Sequence, residues 1–291
     1  MRWSGLGWWT AAAALLPIGG AVAARYSLYV VGVELGALVL LLNLAALGGA
    51  MLLVGKALTC DPFGFALGGL NRYSLARAQA ALWTVVVFAI LLTTAEWNLA
   101  LPPGSVMPPD VMGPLDIAIP AALLTALGLS LFSALAAPAL VTIRGDTTPA
   151  ATGKQLAAAS DRIQALTGRT PGLQACGQVV SNKDIGSASW QELLTGDEVG
   201  QAAKVDLSKV QQAMLTVIVV GIYVAAFLEA LKGGAWLVLP QLGGDAVRLL
   251  AISHAGYLAY KVMPKPDASA ADDPAASRPM AGPASVPAAA E

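Results

Sequence analysis

Residues 74–87, SLARAQAALWTVVV, and residues 206–219, DLSKVQQAMLTVIV, follow one pattern at a constant offset along the chain. Each copy begins with a polar residue, Ser74 or Asp206, and continues with a leucine, a cation, a glutamine and an apolar run. Ser and Asp are favoured N-caps because their side-chain oxygens accept hydrogen bonds from unpaired amides of the first helical turn. A cap followed by a long apolar run predicts a helix that enters a membrane. The two copies therefore predict two membrane helices that start from the same side.

The composition of the whole chain supports a membrane protein. It is 56% hydrophobic and only 12% charged, whereas soluble domains are about 25% charged. The net charge of −1 gives no electrostatic basis for binding nucleic acid. Cys60, Cys176 and His254 are far apart in sequence and fit no metal-ligand spacing. We therefore predict no catalytic, cofactor or metal site.

Apolar runs predict about six transmembrane helices, because about 20 apolar residues are needed to cross a bilayer core of roughly 30 Å. The runs cover residues 8–24, 28–53, 82–99, 117–143, 213–231 and 246–262. The first run ends in small residues that also resemble a signal-peptidase site. Residues 1–24 are thus either a retained helix, which we favour, or a cleaved signal.

The predicted fold class is an all-α integral membrane protein that contains two parallel two-helix repeats and an N-terminal helical hairpin. The expected divisions are the hairpin at 1–55, repeat 1 at 56–143, a cytoplasmic loop with short helices at 144–210, repeat 2 at 211–263 and a disordered tail at 264–291. The tail is rich in Pro, Ala and Ser, a composition that does not support a packed core.

Lys and Arg are concentrated in residues 56–81, in residues 144–209 and in the tail. The positive-inside rule places these segments on the cytoplasmic side of the membrane. Within the long loop, residues 155–166 predict a short helix, and residues 189–194 predict an amphipathic helix with Trp190 on the bilayer surface. The loop is too short and too polar for a large core, so we expect it to be a partly ordered lid.

Five polar residues in the apolar runs are candidate functional groups: Glu34, Glu96, Glu229, Ser253 and His254. An ionisable group inside a membrane is a functional hypothesis by default. The three glutamates could form a cation vestibule or a protonatable site near the outer surface. The histidine could relay a proton, or it could make an ordinary interhelical hydrogen bond, with Ser253 or Tyr257 nearby.

The two copies also place polar pairs at the inner membrane interface, Arg77 with Gln79 and Lys209 with Gln211. Cations in such positions anchor a helix to lipid headgroups. The alternative is a polar collar, formed by all four side chains, that closes the inner face of the bundle.

Three glycines are candidates for close helix packing. Gly32 and Gly36 form a GxxxG pattern, and Gly256 lies in the last predicted span. Small residues at this spacing let two helix backbones approach closely. The seam could join two copies of the chain in a homo-oligomer, or it could join two helices of one chain, which we favour.

Two phrases, DLSKVQ at residues 206–211 and ISHAGYL at residues 252–258, with WQELL at residues 190–194 before them, resemble a group of uncharacterised bacterial multi-helix inner-membrane proteins. The resemblance covers roughly the last third of the chain. It implies a multi-pass protein of the bacterial inner membrane, and it implies no activity.

The sequence thus predicts a non-enzymatic anchor or scaffold in the lipid bilayer that presents its cytoplasmic loop to an unknown protein partner. The alternative is a small ion or solute channel or carrier that uses Glu34, Glu96, Glu229 and His254. The two hypotheses differ in geometry. A channel requires these side chains to converge on one cavity, whereas a scaffold leaves them in separate helix contacts.

Overall fold

The computed structural model describes residues 33–102, 104–148, 150–168, 172–233 and 236–263. These ranges contain six α-helices and one β-hairpin. The elements are α1 (Val33–Thr59), α2 (Leu75–Ala100), α3 (Ala121–Thr147), α4 (Gly153–Thr167), β1 (Leu173–Cys176), β2 (Val179–Asn182), α5 (Leu207–Leu231) and α6 (Gly244–Val262). The predicted span at 8–24 and the tail at 264–291 lie outside the described residues.

Four of these helices are long and apolar enough to cross a membrane: α1 from Leu35 onward, α2, α3 and α5. At 1.5 Å per residue, a helix of this length spans about 38 Å, more than the roughly 30 Å of a bilayer core. The prediction of a mainly helical chain with apolar helices long enough to span a membrane is confirmed, but the described ranges contain four such helices and not six. Helix α6 is not among them, because its 19 residues include Asp245, Arg248 and Lys261.

Helices α2 and α5 begin directly after the predicted caps, at Leu75 and Leu207. The apolar runs alone predict later starts, at residues 82 and 213. Each helix therefore includes a polar first turn, as the shared pattern indicates.

The core of the bundle lies around α2, which packs against α1, α3 and α5, while α6 packs against α3 and α5. The largest fully buried apolar and aromatic side chains of this core are Trp83, Ile90, Leu123, Tyr223, Phe227, Leu231 and Leu250. The connection after α5 also folds into this core, because Leu237 and Leu239 are buried. Asn98 fixes it there by accepting from the Leu237 amide (2.9 Å) and donating to the Leu237 carbonyl (3.1 Å).

We call residues 148–206 the lid, and their described part, at 148, 150–168 and 172–206, contains more regular secondary structure than predicted. Helix α4 confirms the predicted short helix, and a capping box between Thr152 and Gln155 starts it. Strands β1 and β2 pair antiparallel, from Leu173 opposite Asn182 to Cys176 opposite Val179. The lid has a small core of its own, formed by Ala159, Val180, Val199 and Ala202.

The hairpin of the lid docks closely on the end of α3. Gly177, in its turn, has a φ of +58°, and a Cβ atom there would lie 2.2 Å from the carbonyl oxygen of Gly145. Only glycine fits both this backbone conformation and this approach. The contact brings the lid against the ends of the membrane helices.

Candidate functional site

Four helices of the bundle carry a cation at the end that faces the lid: Arg72 before α2, Arg144 in the last turn of α3, Lys209 in the first turn of α5 and Lys261 in the last turn of α6. The lid supplies carboxylates to these cations. Asp197 and Glu198 are adjacent in sequence, and Glu192 precedes them in the same segment. We call these seven side chains the ion cluster.

Asp197 lies at the centre of the ion cluster. Its Oδ1 atom is 2.9 Å from Lys209 Nζ and 4.0 Å from Arg72 Nη1, and its Oδ2 atom contacts Lys261 Nζ. The side chains of Lys209 and Lys261 are only 2% and 4% exposed. Lys209 also donates to the carbonyl oxygen of Glu192 (3.0 Å). One carboxylate of the lid therefore joins cations from three helix ends.

Glu192 holds Arg72 from the other side. Its Oε1 atom lies 3.6 Å from Arg72 Nε and accepts a hydrogen bond from Asn182 Nδ2 (2.7 Å). Its Oε2 atom accepts from the Tyr73 amide (2.9 Å). Burial lowers the pKa of the Arg72 guanidinium, and the charge of Glu192 acts in the opposite direction. The carboxylate of Glu192 thus compensates part of the cost of burying Arg72.

Arg144 makes a second bridge between the lid and the bundle. Its guanidinium pairs with Glu198 and donates to the carbonyl oxygen of Lys261 (3.1 Å). Removing one partner of a buried ion pair costs about 3–5 kcal/mol because the other charge is left uncompensated. The ion cluster therefore holds the lid at a defined position on the helix ends.

A cleft of about 980 Å³ opens between the lid and the residues just before α2, beside Arg72 and Glu192 of the ion cluster. Arg72, Asn182 and Glu192 contribute polar groups to its lining, and Leu173 and Val180 contribute apolar ones. Ligand-binding clefts commonly have volumes of roughly 300–1,000 Å³ and combine apolar walls with a few polar groups. The cleft is therefore large enough for a small molecule or for side chains of a partner protein.

Trp190 lines this cleft and packs against aromatic rings that precede α2. Its ring centroid is 4.3 Å from that of Phe63 and 5.2 Å from that of Tyr73. The predicted amphipathic helix is a 3₁₀ turn, Trp190–Leu193. Trp190 remains 49% exposed, so one face of the ring contacts protein and the rest is free for a partner or for lipid.

The predicted intramembrane acids have different surroundings. Glu96 is buried, and its Oε2 atom accepts a hydrogen bond from Asn43 Nδ2 (2.9 Å) in the contact between α1 and α2. Glu229 is exposed and pairs with Lys232, one turn later. The side chain of Glu34 lies outside the described part of the structure. The two described acids therefore do not converge.

His254 is buried among three helices. Its Nδ1 atom lies 2.7 Å from Ser133 Oγ on α3 and 3.1 Å from Gln212 Nε2 on α5. The predicted neighbour Ser253 is half-buried and is not the partner. Sequence analysis missed Ser133 and Gln212, because helix periodicity does not tell which serine or glutamine faces another helix.

The four proposed collar residues do not form one cluster. Gln79 donates to Thr216 Oγ1 (2.8 Å), Lys209 joins the ion cluster, and Arg77 donates to the carbonyl oxygen of Leu67. Gln211 is exposed. The packed face of α5 instead carries residues 209, 212 and 216, at the three- and four-residue spacing of one helix face, and Gln211 lies off it.

The candidate packing glycines differ from one another. A Cβ atom on Gly36 would lie 3.0 Å from the Trp97 ring and 3.1 Å from Leu231, so Gly36 packs against α2 and α5 of the same chain. Gly256 is not a packing residue: it is exposed, and a Cβ atom there would meet nothing within 4 Å. It lies off the buried face of α6, which carries His254 and Tyr257. Gly32 is outside the described residues.

In the ranges that the structure describes, no three His, Cys, Asp or Glu side chains come close enough together to hold a metal ion. Cys60 is an exposed free thiol, and Cys176 is a half-buried one.

Sequence analysis did not identify the acids of the ion cluster as site residues. A signal was present, because charges are rare in this chain and Asp197 and Glu198 are adjacent in a segment flanked by cation-bearing helix ends. Buried ions in such a protein are paired. Which cation each acid would meet depends on the tertiary fold.

The chain matches no protein-family profile, and it has no significant match among curated proteins or solved structures. The resemblance to bacterial inner-membrane proteins therefore stays a prediction, and function has to be argued from the geometry of the lid and the ion cluster.

Proposed function

We propose that this protein is a non-enzymatic anchor in the bacterial inner membrane that presents the lid to a soluble cytoplasmic protein. The ion cluster is the observation that carries the proposal. A chain that only tethered a loop would not need to bury Lys209 and Lys261 beside Asp197, since burying ions is costly. A fixed lid is suited to binding, because a preorganised surface loses less entropy when a partner docks.

The proposed topology has about six spans, with two parallel two-helix repeats and with both the lid and the C-terminus in the cytoplasm. Its support is the distribution of cations. Arg72, Arg77, Arg144, Lys209 and Lys261 all lie at the lid end of the bundle. Cations close to the ends of membrane helices favour the cytoplasmic side.

The cleft of the lid is the proposed docking site. Around it, Trp190 is 49% exposed and Val205 is 72% exposed. Large exposed apolar side chains beside a concave surface are typical of protein-binding sites. The buried Asn182 at the same surface offers a polar group that could orient a partner.

The channel alternative gains no support from the described residues. Glu96 is bonded to Asn43, Glu229 pairs with Lys232 at the surface, and His254 is bonded to Ser133 and Gln212. These are separate helix contacts, which is the arrangement expected of a scaffold.

Site-specific photocrosslinking in native membranes tests the docking proposal. A photoreactive amino acid at Gln191, which is exposed and lines the cleft, is expected to capture a defined soluble protein. The same probe at Asp161, which is exposed on α4 outside the cleft lining, is the matched control and is expected not to capture it. Equal capture at both positions, or capture of lipid alone, would contradict the proposal.

Labelling of Cys60 tests the topology. Cys60 is exposed at the lid end of α1, so a membrane-impermeant maleimide is expected to label it in inverted vesicles and not in intact spheroplasts. A Cys60→Ser variant controls for the second thiol, Cys176. Labelling of Cys60 in intact spheroplasts would place the lid outside and would contradict the cytoplasmic scaffold.

A further inference from the structure

The cleft beside the lid has walls that suit an extended peptide. Its volume of about 980 Å³ is at the upper end of ligand-binding clefts, which measure roughly 300–1,000 Å³. Much of its lining consists of small side chains, which leave room for the backbone of a second segment: Gly186, Ser187, Ala188, Ala202 and Ala203. Several consecutive residues of a peptide fit such a cleft better than a compact ligand does.

Trp190 gives the cleft an aromatic surface. It lines the cleft, and 49% of its surface is exposed. Proline-rich segments bind grooves with aromatic walls, because proline rings stack on the flat side chains and the restricted backbone loses little entropy. The cleft therefore favours a ligand that contains prolines.

The rim of the cleft carries two exposed cations, Lys183 and Lys204. Lys183 directly follows a lining residue, and Lys204 stands between two of them. Asp184 is also exposed there, and it accepts a hydrogen bond from Ser187 Oγ (3.2 Å). An acidic segment would complement this pair of lysines and would be steered towards the cleft.

Helix α6 ends close to this cleft. Near its end, Lys261 Nζ contacts Asp197, and the Lys261 carbonyl oxygen accepts from Arg144 (3.1 Å). Asp197 in turn lies 4.0 Å from Arg72, which lines the cleft. The ion cluster thus connects the end of α6 to the edge of the cleft, so the residues that follow α6 leave the bundle beside it.

Residues 264–291, the tail, have the composition that the cleft favours. Two adjacent acids, Asp272 and Asp273, are followed by a segment rich in proline and alanine. A flexible chain of this length has a root-mean-square extent of about 30 Å, and its attachment gives it an effective concentration of about millimolar. The prolines of the tail are Pro264, Pro266, Pro274, Pro279, Pro283 and Pro287.

We propose that the cleft binds residues 272–287 of this same chain, with prolines against Trp190 and the two acids beside the two lysines of the rim. The tail then occupies the surface that the proposed function assigns to a soluble partner, and the partner has to displace it. The inference rests on that proposed role of the cleft as a docking site, and it adds an internal competitor.

Photocrosslinking within the purified full-length chain in lipid nanodiscs tests the inference. A photoreactive amino acid at Gln191, which is exposed and lines the cleft, is expected to form crosslinks to residues 272–287, identified by peptide mass spectrometry. The same probe at exposed Asp161, outside the cleft lining, is expected to form none. A mixture of isotopically labelled and unlabelled chains shows whether each crosslink joins residues of one molecule.

Proline substitutions provide the decisive variant. Replacing Pro274, Pro279 and Pro283 together by alanine removes rings that stack on the indole, and should lower the crosslink yield by at least about threefold. The matched control replaces Ser277 and Ser285 by alanine, keeps every proline and charge of the segment, and should leave the yield unchanged. All five positions lie outside the helices and the lid, so the thermal unfolding midpoint of the bundle should stay the same.

The acids provide a second variant. Asp272→Asn combined with Asp273→Asn is expected to lower the crosslink yield by about twofold or more at low salt. In the wild type, added salt should lower the yield because it screens exposed charges. The double variant should lose this dependence on salt.

The outcomes separate this inference from the proposed function. Crosslinks from Gln191 to the tail of the same molecule, reduced in the proline variant, support it. An absence of tail crosslinks, equal yields at Gln191 and Asp161, or equal yields in the wild type and both variants would overturn it. Crosslinks only between labelled and unlabelled chains would overturn the assignment to the chain's own tail and would indicate a second copy.

The same probe in native membranes completes the test. If the tail competes with a soluble partner, the proline variant is expected to increase capture of that partner at Gln191 by about twofold or more. Capture of a partner without any tail crosslink would overturn the inference and leave the proposed function standing. Tail crosslinks without any captured partner would support the tail site and contradict the proposed function.

Discussion

The starts of α2 and α5 share a sequence pattern but differ in their surroundings. At α5, Asp206 caps the helix and Lys209 is buried in the ion cluster. At α2, Ser74 leaves the helix uncapped, and Arg77 donates to a nearby backbone carbonyl. The pattern therefore specifies where a helix begins, while the neighbouring segment decides what its polar residues do.

The difference follows from chain order. The lid segment that carries Glu192 and Asp197 leads directly into α5, so its carbonyls and carboxylates lie within reach of Lys209. Helix α2 follows a short turn instead, and the Leu67 carbonyl of that turn meets Arg77. The lid is thus attached most directly at the second copy of the pattern.

Asp197→Asn is expected to destabilise the protein most, because it disrupts the ion cluster at the start of α5. It leaves Lys209 and Lys261 buried without their shared charge partner, which we expect to cost about 3–5 kcal/mol. The measurements are the thermal midpoint in detergent and the rate of trypsin cleavage within the lid. Asp161→Asn, at an exposed position of α4, should change neither, and an equally mild effect of both variants would contradict the role of the ion cluster.

Alanine substitutions at the two cap positions compare the contributions of Asp206 and Ser74 to stability. Asp206→Ala removes two hydrogen bonds to the first turn of α5 and should cost about 0.5–2 kcal/mol. Ser74→Ala removes no capping bond and should stay within about 0.5 kcal/mol of wild type. The thermal unfolding midpoints of the two variants are measured side by side. A similar decrease for both variants would mean that Ser74 does cap α2.

The glutamines of the two copies provide the smallest contrast. Gln79→Leu removes the bonds to Thr216 and to the Gln212 carbonyl, and side-chain bonds between membrane helices contribute about 0.6–1.7 kcal/mol. Gln211→Leu changes an exposed side chain and should have almost no effect. The thermal unfolding midpoints of the two variants are compared. A larger decrease for Gln211→Leu than for Gln79→Leu would contradict the assigned role of Gln79.

Local features of the fold could be predicted from the sequence. Hydropathy identifies membrane helices because the bilayer requires long apolar segments. The starts of α2 and α5, the Asp206 cap and the helix α4 depend on residues close together in the chain, and they were predicted within a few residues; the cap expected at Ser74 was wrong, because its side chain makes no capping hydrogen bond. The number of spans was harder, since α6 combines an apolar pattern with three charged residues.

The polar partners could not be predicted in the same way. One residue along a helix turns the side chain by 100°, so Gln211, which fits the pattern, is exposed, whereas its neighbour Gln212 faces the helix contacts. His254 was predicted to lie inside the bundle, but its partner Ser133 belongs to α3, which is far from His254 in the sequence. Such contacts depend on helix rotation and packing, which single-sequence periodicity leaves undetermined.

Amide hydrogen exchange of the full-length chain in lipid nanodiscs tests most directly whether the lid is a fixed part of the bundle. The amide of Asn182 is hydrogen-bonded to the carbonyl oxygen of Leu70, outside the lid (3.0 Å), and the amides of Val180 and Asp206 are bonded within the lid to those of Asp197 and Leu194 (both 2.8 Å). We predict that they exchange about two or more orders of magnitude more slowly than the amide of exposed Val106. Exchange of the lid amides as fast as that of Val106 would mean that the lid is not held, and it would contradict the account.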